Sequence, residues 1–181
     1  MILPFSTKLN RKPTYFVERI HKGIRENYML APVDPSVHYP ADYNFIAKDK
    51  LPSKYHSVRE DKNNRWKVDT KIDFFINARQ KNMFRFASVL PVISIQKIEF
   101  ILKDNTENLT CLGTSFDKTC TIIIDERFYG DAYFFNGTVI SSSYTIPIFA
   151  NNDGFDTSDE LFAYFNKNFK GKIIHWTNLK Y

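Results

Sequence analysis

Lys54, Ser57 and Arg59, in the stretch KYHSVRED (residues 54–61), set an ammonium, a hydroxyl and a guanidinium at K-x-x-S-x-R spacing. A turn brings residues three apart together, and a strand puts residues two apart on one face. A loop running into a strand therefore aims all three groups at one point. Such a cluster grips an anion. It also holds the parts of a Ser–Lys dyad, in which a lysine of depressed pKa takes the proton of a hydroxyl nucleophile. The plain alternative is a polar strand, with Lys54 solvated, Ser57 capping a turn and Arg59 paired with Glu60 or Asp61. Spacing alone leaves both open.

Other chemistries find few parts. The 6 glycines are spread out and form no phosphate or dinucleotide loop. His21, His38, His56 and His175 show no metal-ligand spacing, and Cys111 and Cys120 make neither a CxxC pair nor a disulfide framework. No G-x-S-x-G elbow occurs, and no cofactor or metal is expected. The segment MILPFSTKLN is too short an apolar run for a signal peptide, and no run is long enough to span a membrane. The expectation is a cytoplasmic protein with reduced thiols, in which the sequons at Asn108 and Asn136 carry no sugar.

Charge is concentrated. Of the net +5, residues 48–85 carry the whole excess, which suits a polyanionic partner. Arg65, Trp66 and Lys67 set an indole between two cations, where it would stack a base or sit in the core. Arg79, Lys81 and Arg85 interleave with Met83, Phe84 and Phe86, as along a nucleic-acid groove or the solvent side of a hairpin. The 17 Phe and 10 Tyr favour strands, though AT-rich coding would give the same excess.

The 181 residues suit one domain, residues 1–181. Phe16, Val17, Ile20 and Ile24 recur at helical spacing after Pro13, with Gly23 as the stop. Residues 27–53, with Pro32, Pro35, Pro40 and Pro52, read as an insertion loop. From residue 54 on, short strands dominate. Ile72, Phe74 and Ile76 alternate, and 92–102 are apolar on both phases, as in a strand covered on both sides. Thr157 and Glu160 form a capping box for a helix carrying Leu161, Phe162, Phe165 and Phe169, with Gly171 as its stop. The final GKIIHWTNL reads as a strand with His175 and Trp176 on opposite faces. The spacing predicts a small barrel or sandwich.

In this order the elements resemble the ASCH (activating signal cointegrator homology) domain, a branch of the PUA-like superfamily. The resemblance rests on the helix FVERIHKG, on Lys54-x-x-Ser57-x-Arg59, on Arg65-Trp66 before KIDFFINA, and on ANNDGF before the capped helix and last strand. It covers most of the chain and is nearest to long bacterial and phage-borne members. It implies an α+β fold, a small mixed PUA-like β-barrel with flanking helices. It implies a cleft made by the Lys motif and the late loop, and RNA binding. Some small members hydrolyse N4-acetylcytidine with a Lys, a Thr and a Glu. Carried over, these become Lys54, Ser57 and Asp153. This chain departs from the pattern in several places: Ser for Thr, Asp for Glu, Val68-Asp69 for Gly-Asp, and thirty residues between Gly23 and Lys54.

Three functions follow as expectations. The first is a module binding RNA, a modified nucleotide or DNA, through Lys54, Arg59, Arg65, Trp66, Lys67, Arg79, Lys81 and Arg85. It needs an open basic groove. The second is an amidohydrolase acting on an N4-acylated cytidine or similar nucleoside through Lys54, Ser57 and Asp153, which must converge in a closed pocket. The third is a phage or mobile-element protein that binds a host protein through an exposed apolar patch.

Overall fold

The structure, a computed structural model, describes residues 1–9, 11–27, 37, 39, 51–105, 110–111 and 113–181. Most of the stretch 27–53, with its expected insertion loop, lies outside them, as does Asn108. The described residues form a mixed α+β fold, mostly strands, with three helices. In chain order the principal elements are β1 (Ile2–Phe5), α1 (Phe16–Asn27), β2 (His56–Arg59), β3 (Lys71–Ile76), β4 (Ser94–Asp104) and β5 (Lys118–Ile124). Then come β6 (Arg127–Phe135), β7 (Thr138–Ser142), α2 (Thr145–Asn152), α3 (Ser158–Tyr164) and β8 (Phe169–His175). No helix among the described residues is long and apolar enough to cross a membrane.

Six strands pair antiparallel in the order β7-β6-β5-β4-β8-β2, and this sheet curls into a half-barrel. A separate small sheet pairs β1 with β3 in parallel. The core is divided accordingly. Val58, Phe100, Ile122, Phe149, Leu161 and Ile173 belong to one apolar cluster, and Leu3, Ile20, Phe74, Ile174 and Trp176 to another. Neighbours on a strand point to opposite faces, so Ile173 and Ile174 show that β8 has a core on each side. That is why His175 and Trp176 are both fully buried, where alternation predicted one of them outside. In β4 the rule holds only in part: Ile98 and Phe100 are buried, whereas Ile95 and Ile101 are half-covered.

Local chemistry accounts for the helices. The YTIPIFANN segment reads poorly as a helix because of Pro147 and its β-branched neighbours. Yet Pro147 falls in the first turn of α2, where its missing N–H costs nothing. Ile146, Phe149 and Ala150 then bury at i, i+3 and i+4. Thr157 caps α3, its hydroxyl accepting from the Glu160 N–H at 3.2 Å. The helix ends at Tyr164 rather than running to Gly171, and Phe169 opens β8. Phe165 and Phe169 keep their apolar phase across that break because both pack on Phe100, with ring centroids at 4.4 and 6.1 Å.

Gly23 does not stop α1, which continues to Asn27. It marks a close approach instead. A Cβ there would stand 2.5 Å from the Lys54 carbonyl oxygen. The thirty residues between Gly23 and Lys54 are thus closed up in space, and the Lys54 N–H donates to the Arg19 carbonyl at 3.0 Å. Gly23→Ala gains about 1 kcal/mol of helix propensity but forces backbone apart, at about 1–3 kcal/mol. The expected outcome is a lower urea midpoint with an unchanged m-value.

Candidate functional site

Three elements meet at Lys54. The Lys54 N–H is tied to α1, and the Tyr55 N–H donates to the Asn152 carbonyl at the end of α2, at 2.9 Å. The lysine side chain then reaches Asp153, the C-cap of α2. Nζ donates to Oδ1 at 2.5 Å and also to the Asp153 carbonyl. It lies 5.0 Å from the centre of the Phe16 ring. Lys54 is 2% exposed and Asp153 4%, so the pair is almost wholly buried. Gly154 makes room for it. Its φ of +84° suits glycine, and a Cβ would meet Lys54 Cδ at 3.0 Å and the Phe16 ring at 3.2 Å.

Burial pulls Lys54 down to about 8, against the attraction of Asp153. Burial pushes Asp153 up, but Lys54 and His56 outweigh it and hold the carboxyl below its ordinary range. At pH 7 the site is therefore an ammonium–carboxylate pair. Behind it runs a polar chain. Asn152 Nδ2 donates to the Tyr181 hydroxyl at 3.1 Å, and that hydroxyl lies 2.6 Å from His56 Nε2. With Tyr181 donating onward, the imidazole proton sits on Nδ1, which faces Asp153 Oδ1 at 3.5 Å. Burial keeps His56 below its ordinary pKa despite Asp153, so it is neutral.

Ser57 and Arg59 share the other face of β2, as their spacing predicts, and line a recess of about 60 Å³ with Lys54 and Asp153. Arg59 does not pair with Glu60 or Asp61. Its Nη2 donates to the Pro4 carbonyl at 2.6 Å, and the guanidinium lies over Phe5. Glu60 pairs with Lys62, and Asp61 with Lys172. A second recess of about 250 Å³ adjoins the first and shares its walls Leu9, Phe16, Phe155 and Tyr164. Together they make one cleft with aromatic walls, along which Lys12, Arg19, Lys54 and Arg59 stand among Asp153, Asp156, Asp159 and Glu160. Its size is near the lower end for small-molecule sites, about 300 Å³.

The other expected contacts lie elsewhere. Trp66 is 5% exposed and belongs to the core cluster of Leu3 and Phe74, so it offers no face to a base. Arg65, Lys67, Arg79 and Lys81 are exposed and do not line the cleft. Arg85 bonds Asp73 at 2.7 Å. The basic segment therefore contributes only Lys54 and Arg59. Sequence reading missed Arg19, which lines the larger recess and is 2% exposed. The signal was its register, i+3 from Phe16 and i−4 from Gly23, on the apolar face of α1. Tyr181 and the aromatic walls gave no local signal. Among the described residues no cluster of His, Cys, Asp or Glu could hold a metal ion. No protein-family model, curated protein or solved structure matches the chain.

Asp153→Asn leaves the Lys54 ammonium buried without its counter-charge, and the expected loss is about 3–5 kcal/mol in chemical denaturation. The pH dependence has a definite sign. Lys54 is lowered from 10.5 to about 8, so between those values the unfolded chain holds the extra proton. Its contribution to stability therefore rises with pH across that window. Denaturation midpoints measured from pH 7.5 to 10 should show this rise relative to Lys54→Met.

Proposed function

We propose that the chain is an ASCH-like, PUA-like domain whose cleft takes a single nucleoside-sized ligand and hydrolyses an amide on it. The observation that carries this reading is the buried Lys54–Asp153 pair, with Ser57 lining the same recess. A lysine held near 8 is poised to lose and regain a proton close to working pH. Phe16, Phe155 and Tyr164 give the recess an aromatic wall against which a heterocycle can pack.

In this reading neutral Lys54 takes the proton of Ser57 as Oγ bonds to the amide carbonyl carbon. The lysine then gives that proton to the leaving nitrogen as the C–N bond breaks. Water releases the acyl group from Ser57 by the same exchange, returning the enzyme and a carboxylic acid. Asp153 stays ionised and holds Lys54 in place. N4-acylated cytidine is the first substrate to try, as the resemblance implies. RNA binding is the second reading, supported by the exposed cations at 65, 67, 79 and 81. It predicts affinity that falls steeply with salt.

The test is turnover of N4-acetylcytidine by the wild type, Lys54→Met and Ser57→Ala. Each variant should lose about 10²–10⁴-fold in kcat/KM. For the wild type the rate should climb as pH rises through about 8, where Lys54 becomes neutral. Full activity in Ser57→Ala would overturn the nucleophile, and no turnover across acylated nucleosides would overturn the hydrolase.

A further inference from the structure

Arg19 is a buried cation that the proposed chemistry does not use. Its Nη2 donates to Asp156 Oδ1 at 2.6 Å, while Nε and Nη1 are buried with no partner. The residue is 2% exposed, whereas the side chain of Asp156 is 53% exposed. One half-solvated carboxylate leaves most of the guanidinium's five N–H donors unserved. Asp159 and Glu160 line the same recess but bond away from Arg19: Asp159 Oδ1 accepts from the Val139 N–H at 2.8 Å, and Glu160 Oε2 from the Asp156 N–H at 3.1 Å. Arg59, on the smaller recess, repeats the pattern, with Nε buried and unpartnered. A guanidinium stripped of water and left short of acceptors works against folding. An acceptor brought in from outside the chain would relieve it, and Arg19 lines the recess where that acceptor would arrive.

We infer that the larger recess is an oxyanion seat, in which Arg19 receives a phosphate or carboxylate group of a ligand whose remainder packs against the walls formed by Phe16, Phe155 and Tyr164. Arginine suits both groups because its planar donors match their oxygens. This rests on the cleft being a ligand site, but not on amide hydrolysis.

The experiment is thermal melting of the full chain with inorganic phosphate or with acetate, against chloride at equal ionic strength. It is run on the wild type, Arg19→Met and Arg19→Lys. The expected result is a rise of about 3–5 °C at ten times Kd for the wild type. The rise should be absent in Arg19→Met and reduced in Arg19→Lys; the anion giving the larger rise names the group. No rise with either anion, or an equal rise in Arg19→Met, overturns the seat. Should Arg19→Met fail to fold, the wild type and Arg19→Lys decide it by the same comparison. Turnover of N4-acetylcytidine is measured alongside. Anion-dependent stabilisation with no turnover of any acylated nucleoside sinks the hydrolase and leaves the seat, whereas turnover without an anion effect does the reverse.

Discussion

The ion pair between Lys54 and Asp153 constrains everything around it. Taking an ammonium and a carboxylate out of water costs several kcal/mol each, and their attraction offsets that only when the geometry is good and the remaining polar atoms are served. The pair meets the first condition and most of the second, His56 Nδ1 standing 3.5 Å from Asp153 Oδ1 without a hydrogen-bond partner. Nζ has two acceptors on one residue, and the carboxylate has Nζ on one side and the His56 ring on the other. The ammonium also sits at the C-terminal end of α2, where carbonyl dipoles favour a cation. Displacing either partner strands a charge, so the elements that carry them must be held tightly.

Two glycines and two backbone hydrogen bonds do that holding. Gly23 lets α1 pack directly on the Lys54 backbone, and Gly154 lets the chain after α2 turn beneath the lysine stem. The Lys54 and Tyr55 N–H groups then fix the segment to α1 and α2 in turn. On the far side, Gln96 accepts from the Tyr181 N–H at 2.9 Å and donates to its carbonyl at 2.8 Å, which steadies the hydroxyl that orients His56. The site is therefore anchored on β2, β4, α1 and α2 together.

Much of this could be read from residue types. The helical face of α1, the alternation of β3, the cap of α3 and the shared face of Ser57 and Arg59 follow from local periodicity, and the structure keeps them. What local pattern cannot supply is which surfaces face each other. Gly23 and Gly171 look like helix stops, because stops are the commonest local reason for glycine. Their actual reason is non-local, since each sits where a Cβ would meet another segment's carbonyl at 2.5 Å. His175 is ambiguous for a related cause: a strand with a core on both sides looks locally like a strand with one face in water. Arg19 was hidden because a charge on an apolar helix face reads as an exception until its neighbours are known.

The same distinction governs how charge reports on function. The surplus of positive charge in residues 48–85 is the most visible electrostatic feature of the sequence, but most of its members stand in water. There, salt screens them over about 10 Å, and each contributes little to a specific site. Arg19, Lys54 and Arg59 are few, and one of them lies outside the basic segment. They sit in or beside the cleft, where a lower effective dielectric strengthens every interaction they make. A charge in water can wait for any partner at small cost. A buried one with unserved donors carries a standing penalty, and this gives the cleft, rather than the basic surface, the stronger reason to be selective about what enters it.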